Sequence, residues 1–155
     1  MSSPEWIIFA AITIILISAF VSLRVFARKR KAVRSARDIL LPNALPPEGV
    51  EIPLIAAYSG LKALAPVTFS QNNIYPRLIL FEDHFDYKVI LKKSAYYGDI
   101  EGLYSFRSRY YNKLRFHLYN SSLFFTAVLP DERMLEAVLS FLAAKGVHPQ
   151  PGNRN

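Results

Sequence analysis

Trp6 to Leu23 (WIIFAAITIILISAFVSL) is a run of eighteen residues without a charge, interrupted only by Thr13, Ser18 and Ser22. Carried on to Phe26, past Arg24, whose long stem can reach back to the headgroups, it makes roughly 31 Å of α-helix against a hydrocarbon core of about 30 Å. One segment alone satisfies its backbone hydrogen bonds in lipid only as a helix. Trp6 stands where an interfacial aromatic belongs.

The rival reading is a cleaved signal peptide. Met1 to Glu5 carries no base, however, and the apolar run exceeds the usual core of about 7–15 residues. A basic block follows it, in the manner of a stop-transfer signal, where a signal peptide would show a small-residue cleavage site. The sequence therefore predicts an uncleaved transmembrane helix over residues 6–26. Arg24, Arg28, Lys29, Arg30, Lys31, Arg34 and Arg37 all lie on its C-terminal side, with only Glu5 before it. The positive-inside rule then puts a short tip, residues 1–5, outside and the rest in the cytoplasm, as a single-pass protein of the cell (inner) membrane. A specific anionic-lipid role for the basic block stays open. Ser18 and Ser22 have the small-xxx-small spacing of packed membrane helices, a spacing that also arises by chance.

The same block explains most of the formal +7 charge. From Glu48 onward twelve bases face ten acids, so the folded part is close to neutral. A nearly neutral domain held at a membrane argues against a nucleic-acid partner.

Residues 27–41 read as a basic juxtamembrane helix, ended where Pro42 biases Leu41 away from helix. Residues 42–49, with three prolines, form a semi-rigid linker. The domain then runs over 50–147, followed by a flexible tail at 148–155. Glu51–Tyr58 and Ala65–Phe69 are candidate strands, with Pro53 and Pro66 at starts or edges. Arg77–Phe81 and Phe85–Lys92 flank a polar turn, the second in nearly clean alternation. Glu101–Arg107, Leu114–Tyr119 and Leu123–Leu129 follow as strands. After Pro130, Asp131-Glu132-Arg133 opens a helix with Met134, Leu135, Val138, Phe141 and Leu142 on one face, closed by Lys145-Gly146. The expected architecture is a transmembrane helix plus a mainly-β (α+β) domain, an antiparallel barrel or sandwich of about six or seven strands capped by a C-terminal helix.

From about Ala65 to Val147 the chain resembles the small bacterial pleckstrin-homology-like (PH-like) domains, which often stand beside a membrane segment. The resemblance rests on RLILFEDHFDYKVILKK, on AYYGDIEGL with its Tyr97-Gly98-Asp99-Ile100 step, on the two later hairpin strands, and on PDERMLEAVLSFLAAKGV. It implies a module that binds lipid headgroups, peptides or proteins and does no chemistry. The phosphoinositide-binding form of the family places a basic cluster between its first two strands. Ser70 to Tyr75 (SQNNIY) carries no base there, which speaks against that ligand.

Candidate chemistry is sparse. With no cysteine, disulfides, thiolate catalysis and Cys-ligated metals are excluded, and the domain rests on its apolar core. His84, His117 and His148 lack metal spacing. Glu82, Asp83 and Asp86 read as a hairpin turn, without the glycine and distal Glu of a calcium loop. No P-loop, dinucleotide or G-x-S-x-G motif occurs, and neither a metal nor a cofactor is expected. The one suggestive constellation is Arg107, Arg109, Tyr110, Tyr111, Lys113 and Arg115, bases interleaved with tyrosines in a strand–loop–strand. Besides membrane lipids around the helix, the expected partner is therefore a membrane-associated protein held by a non-catalytic scaffold. The alternative is an anionic lipid headgroup on the 107–115 loop, and an enzyme comes third.

Overall fold

The computed structural model describes residues 3–38, 45–64, 67–72, 75–108 and 111–151. Helix α1 (Ser3–Asp38) is continuous. Its Trp6–Arg24 stretch, of mean hydropathy 2.6 and with none of it buried, is long and apolar enough to cross a membrane, a test that a signal sequence also passes. The hydroxyls of Thr13 and Ser22 donate to the carbonyls of Phe9 and Ser18, each at 2.8 Å, so both are satisfied inside the helix. The Arg24 guanidinium lies 4.7 Å from the Phe20 ring, its stem turned back along the apolar run. The backbone of Arg28, Lys29, Arg30, Lys31, Arg34 and Arg37 is helical, and their side chains lie outside the described residues. So do Leu41, the expected helix end, and Pro42 to Ala44.

The domain is two sheets. One has the order β1 (Val50–Ile52), β4 (Arg77–Leu80), β5 (His84–Lys88), β6 (Lys92–Tyr96), antiparallel throughout. The other runs β10 (Gln150–Pro151), β7 (Ile100–Arg107), β8 (Asn112–Leu118), β9 (Leu123–Leu129), β2 (Ala56–Leu61), β3 (Ser70–Asn72). Period-two alternation sends Leu78, Leu80 and Phe85 from the first sheet, and Leu103, Leu114, Phe116, Phe125 and Ala127 from the second, into one shared core. Phe116 is its centre, with ring centroids 5.2 Å from Phe85 and 5.6 Å from Phe125. Helix α2 (Glu132–Ala144) adds Met134, Leu135, Val138, Leu139, Phe141 and Leu142 to that core. Asp131 caps it, accepting from Met134 N at 2.8 Å, and Gly146, at φ +82°, supplies the left-handed residue that ends it.

The structure corrects the sequence reading in several places. The expected Glu51–Tyr58 strand breaks at Pro53, so β1 joins one sheet and β2 the other. Within Ala65–Phe69 the described residues, Val67 to Phe69, form no strand, and the polar Ser70–Asn72 pairs with β2 on the side away from β9. The expected Phe85–Lys92 strand stops at Lys88. Val89 turns into the core, its carbonyl accepts from the Asn72 side chain, and the chain reverses into β6, an added edge strand. The tail is not loose throughout, because Gln150 and Pro151 pair in parallel with Tyr104 and Ser105. Among the described residues, nine antiparallel strands and this short parallel one replace the six or seven expected. The second half of the linker lies against the domain. Leu45 packs on the core, its N–H donates to Glu82, and Gly49 N–H closes a turn onto Pro46 O.

Candidate functional site

Four strands of the larger sheet turn a mixed cationic and aromatic face outward. Register pairs Tyr104 with Arg115 and Phe106 with Lys113 across β7–β8, and Arg115 with Thr126 and His117 with Phe124 across β8–β9. Tyr58 of β2 stands opposite Thr126. These side chains share the phase opposite to the buried Leu103, Leu114, Phe116, Phe125 and Ala127.

Arg115 is the centre of this face. Its guanidinium carbon lies 4.4 Å from the Phe124 ring and 5.0 Å from that of Phe106, and Nε donates to Thr126 Oγ1 at 3.3 Å. No carboxylate among the described residues pairs with it. Half-burial without an acid pulls its pKa below the usual guanidinium value, although arginine remains charged. Lys113 Nζ sits 4.1 Å from the Tyr111 ring and 5.8 Å from that of Tyr58.

The six residues expected to act together part company. Arg107 has the opposite phase to Phe106 and pairs with Glu136 on α2, away from the outer face. Arg109 and Tyr110 lie outside the described residues. Tyr111, Lys113 and Arg115 do converge, joined by His117, which the sequence offers only as a histidine without metal spacing, and by Tyr58, Tyr104, Phe106, Phe124 and Thr126, which it does not mark. The signal that could have found part of this set is the alternation Lys113, Arg115, His117 along one strand.

Phe124 points outward yet is only 1% exposed, and the backbone of Val67, in the segment after β2, lies close beside it over Gly60. Lys62 to Leu64 form a 3-10 turn, Val67 N–H donates to Leu64 O, and Phe69 N–H donates to Ser59 O, tying this strap down. Gly60 lies against it so closely that a Cβ would clash with Val67 O and the Phe124 ring.

Beside Phe124, its cross-strand neighbour, lies His117, its ring 4.9 Å from that of Tyr104. Its Nε2 is buried with no hydrogen-bond partner among the described residues. Lys62 bonds to Glu101, placed by a bulge in β7, and to Leu118 O. Burial, followed by the charges of Lys62 and Arg115, pulls the His117 pKa below the ordinary imidazole range. A depressed pKa leaves this stability intact above the unfolded value of about 6.5 and removes it as pH falls from there through the folded pKa. Melting curves between pH 7.5 and 5.5 should therefore fall more steeply for the native chain than for His117→Phe, which keeps the ring packing and cannot titrate. Equal slopes would contradict the assignment.

The acidic turn has internal partners. Glu82 pairs with Lys145, Asp83 with His84, and Asp86 with Lys92 and Ser94. Burial works to raise the Asp86 pKa, but hydrogen bonds from Lys92 and Ser94 hold it low. No group of three or more His, Asp or Glu able to hold a metal occurs among the described residues. His84 stacks on Phe81 at 4.4 Å, a packing role, and His148 is exposed. No protein-family model and no curated protein matches the chain.

Proposed function

We propose that the chain is a single-pass membrane protein whose PH-like domain faces the cytoplasm and docks a protein partner without doing chemistry. The PH-like reading is supported by two sheets that share one core, with a helix at the C-terminal end packed into it. The basic block after Arg24, with Glu5 alone before the apolar run, supports the topology.

One observation carries the docking function: Arg115 is held half-buried between two rings with a neutral hydrogen bond to Thr126 and, among the described residues, no acid. A partly desolvated charge costs stability unless something opposite to it is supplied. Tyrosine and arginine are also the side chains in which interface energy concentrates. The fitting partner is a protein segment that brings a carboxylate to Arg115 and apolar surface to Tyr58, Tyr104 and Tyr111. Headgroup binding by the 107–115 loop has less support, because Arg107 is engaged by Glu136.

Photo-crosslinking in native membranes tests this. A benzophenone side chain at Tyr111 should yield a discrete protein adduct, and the same probe at the exposed Tyr119 should not. Arg115→Met, which removes the charge and keeps the apolar contacts, should abolish the adduct without lowering the melting temperature. An adduct indifferent to Arg115, or equal from both positions, would sink the proposal.

A further inference from the structure

The hairpin between β5 and β6 ends in an apolar tip. Ile90 is 68% exposed and Leu91 73%, neighbours in sequence at the turn, while Val89 alone points inward. Such a pair of bare aliphatic side chains at a tight turn has no folding role. The Asn72 side chain donates to Val89 O and accepts from Tyr75 N–H, so the exposed Tyr75 stands next to the tip.

Bases surround this tip. Arg77, Lys88 and Lys92 lie side by side across β4, β5 and β6, and Lys93 follows. Arg77 pairs with Glu51, and Lys92 with Asp86. No carboxylate among the described residues pairs with Lys88 or Lys93. Lysines directly opposite on antiparallel strands repel. A neighbouring anionic surface removes that cost, and aliphatic side chains beside it enter the acyl layer without needing a shaped pocket.

We propose that the β5–β6 tip docks into the anionic leaflet of the membrane that α1 crosses, Ile90 and Leu91 entering the interface with Lys88 and Lys93 at the headgroups. The tether permits it. From Asp38 to Leu45 the chain spans up to about 23 Å, and His84 to Lys88 along β5 covers roughly 14 Å. The domain then has two contacts with the bilayer, and these fix which way the Arg115 face looks. This inference rests on the membrane placement proposed above.

Because the chain has no cysteine, one can be introduced without removing others. Ile90→Cys and, as a control at the other end of the sheets, Tyr119→Cys would carry an environment-sensitive fluorophore on the full chain in proteoliposomes. Flotation first reports whether α1 inserts; failure there counts against the membrane placement itself. With inserted protein in vesicles containing phosphatidylglycerol, the probe at 90 should be blue-shifted and quenched by spin-labelled lipid, and the probe at 119 should be neither. Both signals should weaken in purely zwitterionic vesicles and in the Lys88→Gln, Lys93→Gln variant. A probe at 90 as wet and unquenched as that at 119 overturns the proposal. So does a blue-shifted probe that spin-labelled lipid fails to quench, which would indicate a protein contact instead.

Discussion

Gly60→Ala is expected to destabilise the domain by about 3 kcal/mol, the upper end of what overpacking costs. A Cβ there would lie 2.1 Å from Val67 O and 2.6 Å from Phe124 Cζ. The carbonyl belongs to a backbone held by the Val67–Leu64 and Phe69–Ser59 hydrogen bonds, so it has little freedom to retreat. Relief comes either by lifting the strap or by swinging Phe124 out, and the second removes one side of the clamp on Arg115. Thermal unfolding in detergent should show the loss, and limited proteolysis should cut the segment between β2 and β3 faster than in the native chain. A melting temperature within a degree of native would mean that the strap does not cross this close.

Phe116→Ala is expected to cost about 3–5 kcal/mol, the usual range for emptying a buried aromatic site. The ring is fully buried between Phe85 and Phe125, which draw in Tyr97 and Tyr87 in turn at 5.8 Å and 4.7 Å. Both sheets therefore meet at this position, and the cavity faces aromatic rings that cannot collapse into it without leaving their own contacts. Leu91→Ala makes the comparison, because an exposed side chain at the hairpin tip should shift stability by less than about 0.5 kcal/mol. A broad, non-cooperative melt for Phe116→Ala beside an unchanged one for Leu91→Ala is the expected pair of results. A modest shift for Phe116→Ala would place the centre of the core elsewhere.

The parts of the fold legible in the sequence are those whose pattern is strong over its whole length. The uncharged run after Trp6 has a single structural solution of its length, β8 and α2 each bury one face, so period two and period 3.6 stand out, and β9 is an almost continuous apolar run buried on both faces. Strand β6 (Lys-Lys-Ser-Ala-Tyr) was invisible because an edge strand is held by backbone pairing, with Ala95 its one buried residue. Strand β3 (Ser-Gln-Asn) hid for the same reason. The candidate site was half legible. Bases adjacent in sequence suggested one cluster, but a strand separates neighbours onto opposite faces, which sends Arg107 to α2 and leaves Lys113 with Arg115. Tyr58 and Phe124 come to the face through the β2–β9 pairing, a register between segments distant in sequence that no local pattern encodes. The basic hairpin tip was mistaken for strand because Val-Ile-Leu continues an apolar pattern up to the point where the backbone turns.

Labelling of single cysteines with a membrane-impermeant maleimide tests most directly that this is an anchored, cytoplasm-facing domain. In intact cells whose outer membrane face is accessible, Ser2→Cys should label at once and remain on the membrane-bound chain. Tyr119→Cys should label only after permeabilisation. Loss of the Ser2→Cys label from the mature protein, or labelling of Tyr119→Cys in intact cells, would contradict the account.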